Sequence, residues 1–158
     1  MNAVPNKIII PRKTIAPKIP QNSINPVNGR THGIVITGEG NIVVFNQANP
    51  AILIYDSAGK LIKSWGDRFS GAHGLTIAQN DGKEFLWLTD ELTGEVVKTT
   101  LSGDTVMNIP RHVIEFYDEG KYSPTWVAEF ELSKNGNGDI WVADGYGSSL
   151  VHRYNKEG

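Results

Sequence analysis

The chain has 158 residues, of which 39% are hydrophobic and 20% charged, and its net charge is -2. That composition describes one folded domain or a little more, and excludes a disordered chain, collagen and a coiled coil. The absence of cysteine excludes a disulfide scaffold, thiolate metal sites and cysteine catalysis, and the near-neutral charge argues against nucleic acid or an anionic membrane as partner.

Residues 1–30 hold five of the eight prolines and five basic residues but no acid. Proline fixes φ and removes a donor, so this segment is expected to be a Pro-rich N-terminal arm that runs extended along the domain. A nucleic-acid arm is the sharper alternative, but the charges are dispersed and lack interleaved aromatics. The segment has no apolar core of a secretory signal. No run approaches the ~18–20 apolar residues of a membrane span. The sequence therefore carries no readable address.

From residue 31 the chain repeats itself. The first copy reads THGIVIT, a turn at 38–41, IVVFNQ, then ILIYDSAGKLIKSWG. The second reads AHGLTIA, a turn at 79–82, FLWLTD, then EVVKTTLSGD. The third reads TWVAEFE, a turn at 135–138, DIWVADGYG, then LVHRYNKEG. Short β-type runs separated by glycine turns predict antiparallel strands. Residues 56–59, 101–104 and 155–158 fall in matching places and predict hairpins leading to a fourth strand. His32 and His73 are 41 residues apart, a period that with four strands per unit signals a β-propeller blade. Val106–Ser123 lengthens the second interval and is expected to be a long loop or extra hairpin.

The expected fold is therefore all-β. An arm over 1–30 precedes a partial propeller over 31–158, with blades at 31–66, 72–105 and 124–158, the last incomplete. Propellers carry about 4–8 blades, so three cannot close a ring. The chain is expected to be the N-terminal part of a larger protein.

The copies HGLTIAQNDGKEFLWLTDELTGEVVKT and GDIWVADGYGSSLVHRY resemble NHL repeats. That resemblance implies a six-bladed propeller, and NHL propellers serve as enzymes, scaffolds and binders alike. Within the family, AHGLTI followed by WLTD, and ADGYGSSLVHRY, look like segments of the peptidyl-α-hydroxyglycine α-amidating lyases. Those enzymes cleave a hydroxyglycine-extended peptide into an amide and glyoxylate. They use an axial zinc held by three histidines, a tyrosine base and a calcium ion. The resemblance implies His73 as a zinc ligand, Tyr146 as the catalytic tyrosine, and the carbonyls of Ile34 and Leu75 as calcium ligands. It also implies further histidines beyond residue 158. One departure is Gln47, which stands where the lyases carry an arginine and has no permanent charge to hold an anion.

Read without the resemblance, the same positions keep two meanings. His32 and His73 occupy the same slot in neighbouring blades and should converge on one axis, where neutral imidazoles suit zinc. Alternatively, each fits a tight corner and bonds a carbonyl. Tyr146, between Gly145 and Gly147, is either an exposed phenol serving as base or an aromatic plug. Asp90 and Asp144 end matching strands. They could form a catalytic pair, but aspartates in such places mostly accept backbone N–H bonds. Trp87 and Trp141 are expected in the inter-blade core. Arg111 and His112 could lid the axial face. Residues 135–139 mimic a calcium loop but lack its central glycine and closing glutamate.

The function these features suggest is a zinc-dependent lyase acting on a small-molecule or peptide substrate. The alternative is a non-catalytic propeller that binds a protein, peptide or small ligand at one rim.

Overall fold

A computed structural model describes residues 29–111 and 121–158. The proline-rich arm, apart from Gly29 and Arg30, lies outside the described residues, as does His112. Among the described residues, eleven strands form three antiparallel sheets. The first contains β1 (Thr31–Ile36), β2 (Ile42–Asn46), β3 (Ile52–Tyr55) and β4 (Leu61–Trp65), in that order. The second contains β5 (Ala72–Asn80), β6 (Lys83–Asp90), β7 (Val96–Thr100) and β8 (Thr105–Ile109). The third contains β9 (Trp126–Glu129), β10 (Ile140–Asp144) and β11 (Leu150–Tyr154), with a short 3-10 turn at Leu132–Lys134. These are the up-and-down sheets of propeller blades. Among the described residues no helix is long and apolar enough to cross a membrane.

Local chemistry repeats with the sheets. The Asp56 carboxylate accepts the N–H groups of Ala58 and Lys60, both at 2.9 Å. The Thr100 hydroxyl does the same for Ser102 and Asp104, at 3.2 and 3.1 Å. Asn155 takes the N–H of Glu157 at 2.9 Å. Each turn is completed by a glycine at positive φ: Gly59 at 83°, Gly103 at 97° and Gly158 at 97°. Side-chain acceptors that imitate a backbone turn are the reason Asp, Asn and Thr recur there. The second sheet differs from expectation at its end. The hairpin after β7 leads to the expected fourth strand, but residues 106–109, read as part of a long loop or extra hairpin, form most of it, because Thr105–Ile109 pairs with β7 after the Thr100 turn.

The blades stack face to face. One apolar cluster, including Val43, Phe45, Ile52, Leu75 and Val97, lies between the first and second sheets. Another, including Trp87, Val96, Val127 and Ile140, lies between the second and third. Equivalent positions show the direction of stacking. Leu75 and Val127 face the preceding sheet and are 1% and 0% exposed, whereas Ile34, in the same place on β1, is 62% exposed. Val43 and Trp87 face the following sheet and are fully buried, whereas Trp141 is 42% exposed. Trp141 thus departs from its expected core position, since no described sheet lies on its outer face. The Arg153 guanidinium covers part of its ring instead.

The first strands β1, β5 and β9 pack side by side. Glycine makes this close approach possible. A Cβ on Gly33 would collide with the Leu75 side chain, and one on Gly74 would lie 2.6 Å from the Thr125 carbonyl oxygen.

Candidate functional site

Both histidines sit on irregularities of a first strand. Pairing of β1 with β2 shifts between Thr31 and Gly33, at His32, and pairing of β5 with β6 shifts between Ala72 and Leu75, at His73. A bulge inserts an unpaired residue and re-aims its side chain, a device frequent beside active sites. The two imidazoles come together as a stack, with ring centroids 4.5 Å apart and planes 20° apart.

Tyr146 joins them from the third sheet. Its hydroxyl lies 3.2 Å from His73 Nε2, and its ring meets the imidazole edge-on at 5.0 Å. The other imidazole nitrogen, Nδ1, lies 2.8 Å from the Thr125 carbonyl oxygen. A carbonyl can only accept, so Nδ1 carries a proton. In the neutral ring the lone pair is then at Nε2, and the Tyr146 hydroxyl donates to it. One backbone carbonyl therefore sets both the tautomer and the direction of the His73–Tyr146 hydrogen bond.

The loop that carries Tyr146 is built by Asp144. Its carboxylate accepts the Ser123 N–H and the Ser148 N–H, each at 2.7 Å, and the Ser148 hydroxyl. Asp90 does the equivalent work in the second sheet, taking the N–H groups of Gly71, Leu92 and Thr93 at 2.8–3.0 Å. Asn46 holds the matching corner of the first sheet, accepting from Ala48 and donating to Ala51. Asp90 and Asp144 are fully buried and belong to separate corners. They are loop braces, as aspartates in such places usually are.

Ile34 and Leu75 pair with Val44 and Leu88 in matching registers. They lie on the first strands of their sheets, each paired on one edge only within its sheet. Gln47 donates to the Ala72 carbonyl at 3.4 Å, so its amide helps tie the first sheet to the second near the base of β5. Arg111 lies just beyond β8.

His73 fits a metal ligand, since an imidazole oriented by a carbonyl at its far nitrogen is the usual second-sphere arrangement. His32 supplies a second imidazole in contact with it. Among the described residues no group of three or more His, Asp or Glu side chains could hold a metal. A complete zinc set would need ligands from elsewhere.

Thr125 escaped the sequence reading because it acts through its backbone, which carries no residue signature. The sequence copies set Thr125 beside Ala72, and only the strand register, with Val127 opposite Val142 as Leu75 is opposite Leu88, puts it in the place of His73.

No family model matches the chain, and no curated protein matches it by sequence. Its fold is similar to solved propeller lyases. One is a catalytically inactive histidine-to-alanine variant of virginiamycin B lyase from Staphylococcus aureus, with quinupristin, at 15% identity and a TM-score of 0.57. The selenomethionine form of the same enzyme matches at 18% identity and a TM-score of 0.55. A streptogramin B lyase structure matches at 15% identity and a TM-score of 0.57. The matches cover 83–84% of this chain but only 42–43% of those chains, so the chain spans less than half their length. At this identity the likeness establishes the propeller fold.

Proposed function

We propose that His32, His73 and Tyr146 form part of the axial site of a lyase, with the Tyr146–His73 pair as its proton-transfer machinery. The observation that carries this reading is the oriented hydrogen bond from a 59% exposed phenol to an imidazole whose tautomer is set by Thr125. An exposed tyrosine that merely filled space would need no such base.

The chemistry balances as an elimination. The Tyr146 oxygen takes a proton from the substrate while its own proton passes to His73 Nε2. The substrate's bond to its leaving group breaks, with the electron pair departing on that group. The leaving group then takes a proton back from the imidazolium, and the pair is restored without water or redox change. For a hydroxyglycine-ended peptide, the proton comes from the hydroxyl and the bond broken is carbon–nitrogen, which yields an amide and glyoxylate. Zinc, as the NHL-type amidating lyases suggest, would be held by His73 and His32 and would polarise a substrate oxygen. Because His73 Nδ1 is committed to Thr125, the metal would take the Nε2 lone pair in place of the proton, and Tyr146, ionised, would then both accept the substrate proton and return it to the leaving group. Calcium would be held by the Ile34 and Leu75 carbonyls. The solved propeller lyases support the reading in one respect: one of them is inactivated by loss of a single histidine.

Gln47 favours a second reading, a non-catalytic propeller binding a peptide, protein or small ligand at one rim. Its amide is occupied by a backbone carbonyl and offers no charge to an anionic substrate.

The test is glyoxylate release from a hydroxyglycine-ended peptide, measured beside metal content by elemental mass spectrometry. Tyr146→Phe should lower turnover by about 10²–10⁴-fold, the usual contribution of a positioned acid–base group. His73→Ala should abolish turnover and remove bound zinc. Wild-type protein with neither turnover nor zinc would leave the binding propeller as the function.

A further inference from the structure

The same corner opens each sheet. Arg30, Gly71 and Ser123 stand two residues before His32, His73 and Thr125. Each offers its carbonyl to an N–H just past the second strand of its own sheet: Gln47 at 2.9 Å, Glu91 at 2.8 Å and Tyr146 at 3.4 Å. Gly71 and Ser123 also give their own N–H to the aspartate that ends that strand, Asp90 at 2.9 Å and Asp144 at 2.7 Å. Ser123 adds a bond that leaves its sheet. Its hydroxyl donates to the Glu91 carbonyl oxygen at 2.7 Å, with Glu91 Oε2 beside it at 3.2 Å. The residue is fully buried. These bonds connect two backbones. Glu91 gives its N–H to Gly71, two residues before His73, and Asp144 stands two residues before Tyr146. One buried hydroxyl thus ties the corner that bears His73 to the corner that bears Tyr146. The 3.2 Å contact between the phenol and His73 Nε2 spans the same two sheets.

We propose that Ser123 is a positioning residue, whose hydroxyl sets the distance between the Tyr146 phenol and His73 Nε2 by holding the third corner against the second. A hydroxyl has one proton to give, and here it goes to a backbone carbonyl of the neighbouring sheet rather than to its own. Without it the Tyr146 loop keeps its brace at Asp144 but loses this anchor on the sheet that carries His73. Reacting groups displaced by ~1 Å can lose about 10²-fold in rate. The catalytic meaning of the assignment rests on the axial-site reading above, whereas the geometry it claims is measurable without turnover.

The imidazole nitrogens of His73, isotope-labelled in the full chain, are observed by NMR with a chelator present, so that Nε2 faces the phenol alone. Tyr146→Phe marks the Nε2 resonance without its hydrogen bond. Ser123→Ala should move the resonance toward that mark. Ser123→Gly, the residue the second sheet carries at this place, should do the same and serves if the alanine variant does not fold, as far-UV circular dichroism would show. Thr76→Val removes a different bond between the same two sheets, from the Thr76 hydroxyl to the Val127 carbonyl at 3.0 Å, and should leave the resonance in place. A resonance unmoved in the Ser123 variants, or moved as far in Thr76→Val, would overturn the assignment, the second outcome because it would reduce Ser123 to general cohesion between sheets. Where the wild type turns over, Ser123→Ala should lower kcat by about 10- to 100-fold at unchanged KM, and an unchanged kcat would equally overturn the assignment. Absence of turnover in the wild type refutes the lyase reading and leaves the resonance test standing, so the two failures are distinguishable.

Discussion

Replacing Lys98 by methionine should cost about 3–5 kcal/mol, the range for breaking a buried ion pair from one side. Lys98 Nζ lies 2.7 Å from Glu129 Oε2 and 2.5 Å from Asn80 Oδ1. The two charged side chains are only 9% and 6% exposed. Their attraction at this distance is about 6 kcal/mol in an effective dielectric of ~20. Desolvation of each ion costs several kcal/mol, so the intact pair comes near balance. Methionine is a similarly long unbranched side chain but removes the ammonium that lies 5.2 and 5.5 Å from the Phe85 and Trp87 ring centroids, and it leaves Glu129 without a counter-charge. The bonds to Glu129 from Trp87 Nε1 at 2.8 Å and Asn80 Nδ2 at 3.0 Å would remain. They orient the carboxylate but do not neutralise it.

The pair joins the second sheet to the third, so the loss is one of blade-to-blade cohesion. Urea unfolding followed by tryptophan fluorescence measures it, with an unchanged m value certifying a pure stability effect. Lys98→Met combined with Glu129→Gln should recover at least about 2 kcal/mol of the loss, because no buried charge is left over. Lys98→Arg controls for the volume of the site. A single-variant cost below about 1 kcal/mol, or losses that add within about 0.5 kcal/mol, would refute the reasoning.

The same network predicts the acid limb of stability. Burial pushes the Glu129 carboxyl up, but hydrogen bonds from Lys98, Trp87 and Asn80 and the Lys98 charge outweigh it and hold the group below its usual value. A depressed carboxylate stabilises the fold above the unfolded pKa of about 4.3. That stability is lost as pH falls through the folded value. Glu129→Gln should flatten this limb in melts recorded between about pH 5 and 3, and an unchanged slope would assign it to other groups. Gly33→Ala should destabilise by about 1–3 kcal/mol, since the new methyl would press on Leu75, as urea unfolding would show. Asp90→Ala should cost at least about 2 kcal/mol by orphaning three N–H groups in a buried corner. Hydrogen exchange at Gly71, Leu92 and Thr93 would localise the loss.

The repeat carried most of the fold in plain view. Short β-type runs separated by glycine turns are local chemistry, and local chemistry is legible in a linear string, although the second of the matching turns, read at 101–104, begins one residue earlier at the Thr100 acceptor. The same holds for Asp90 and Asp144, whose place at strand ends already pointed to loop bracing. Sequence spacing placed His32 and His73 in one slot of neighbouring copies, and the bulged strands bring the rings into contact. What the string could not show depends on how sheets stack. Trp87 and Trp141 share a sequence position, yet only Trp87 is buried, because burial requires a facing sheet. Residues 106–109 were counted with the insertion because the surplus length of the repeat lies there, and only the pairing with β7 shows that the expected fourth strand runs on to Ile109. The orientation of His73 belongs to the same class. It depends on a carbonyl 52 positions along the chain, and a backbone oxygen is identical at every residue. Only the packing of the third sheet against the second selects the one at Thr125.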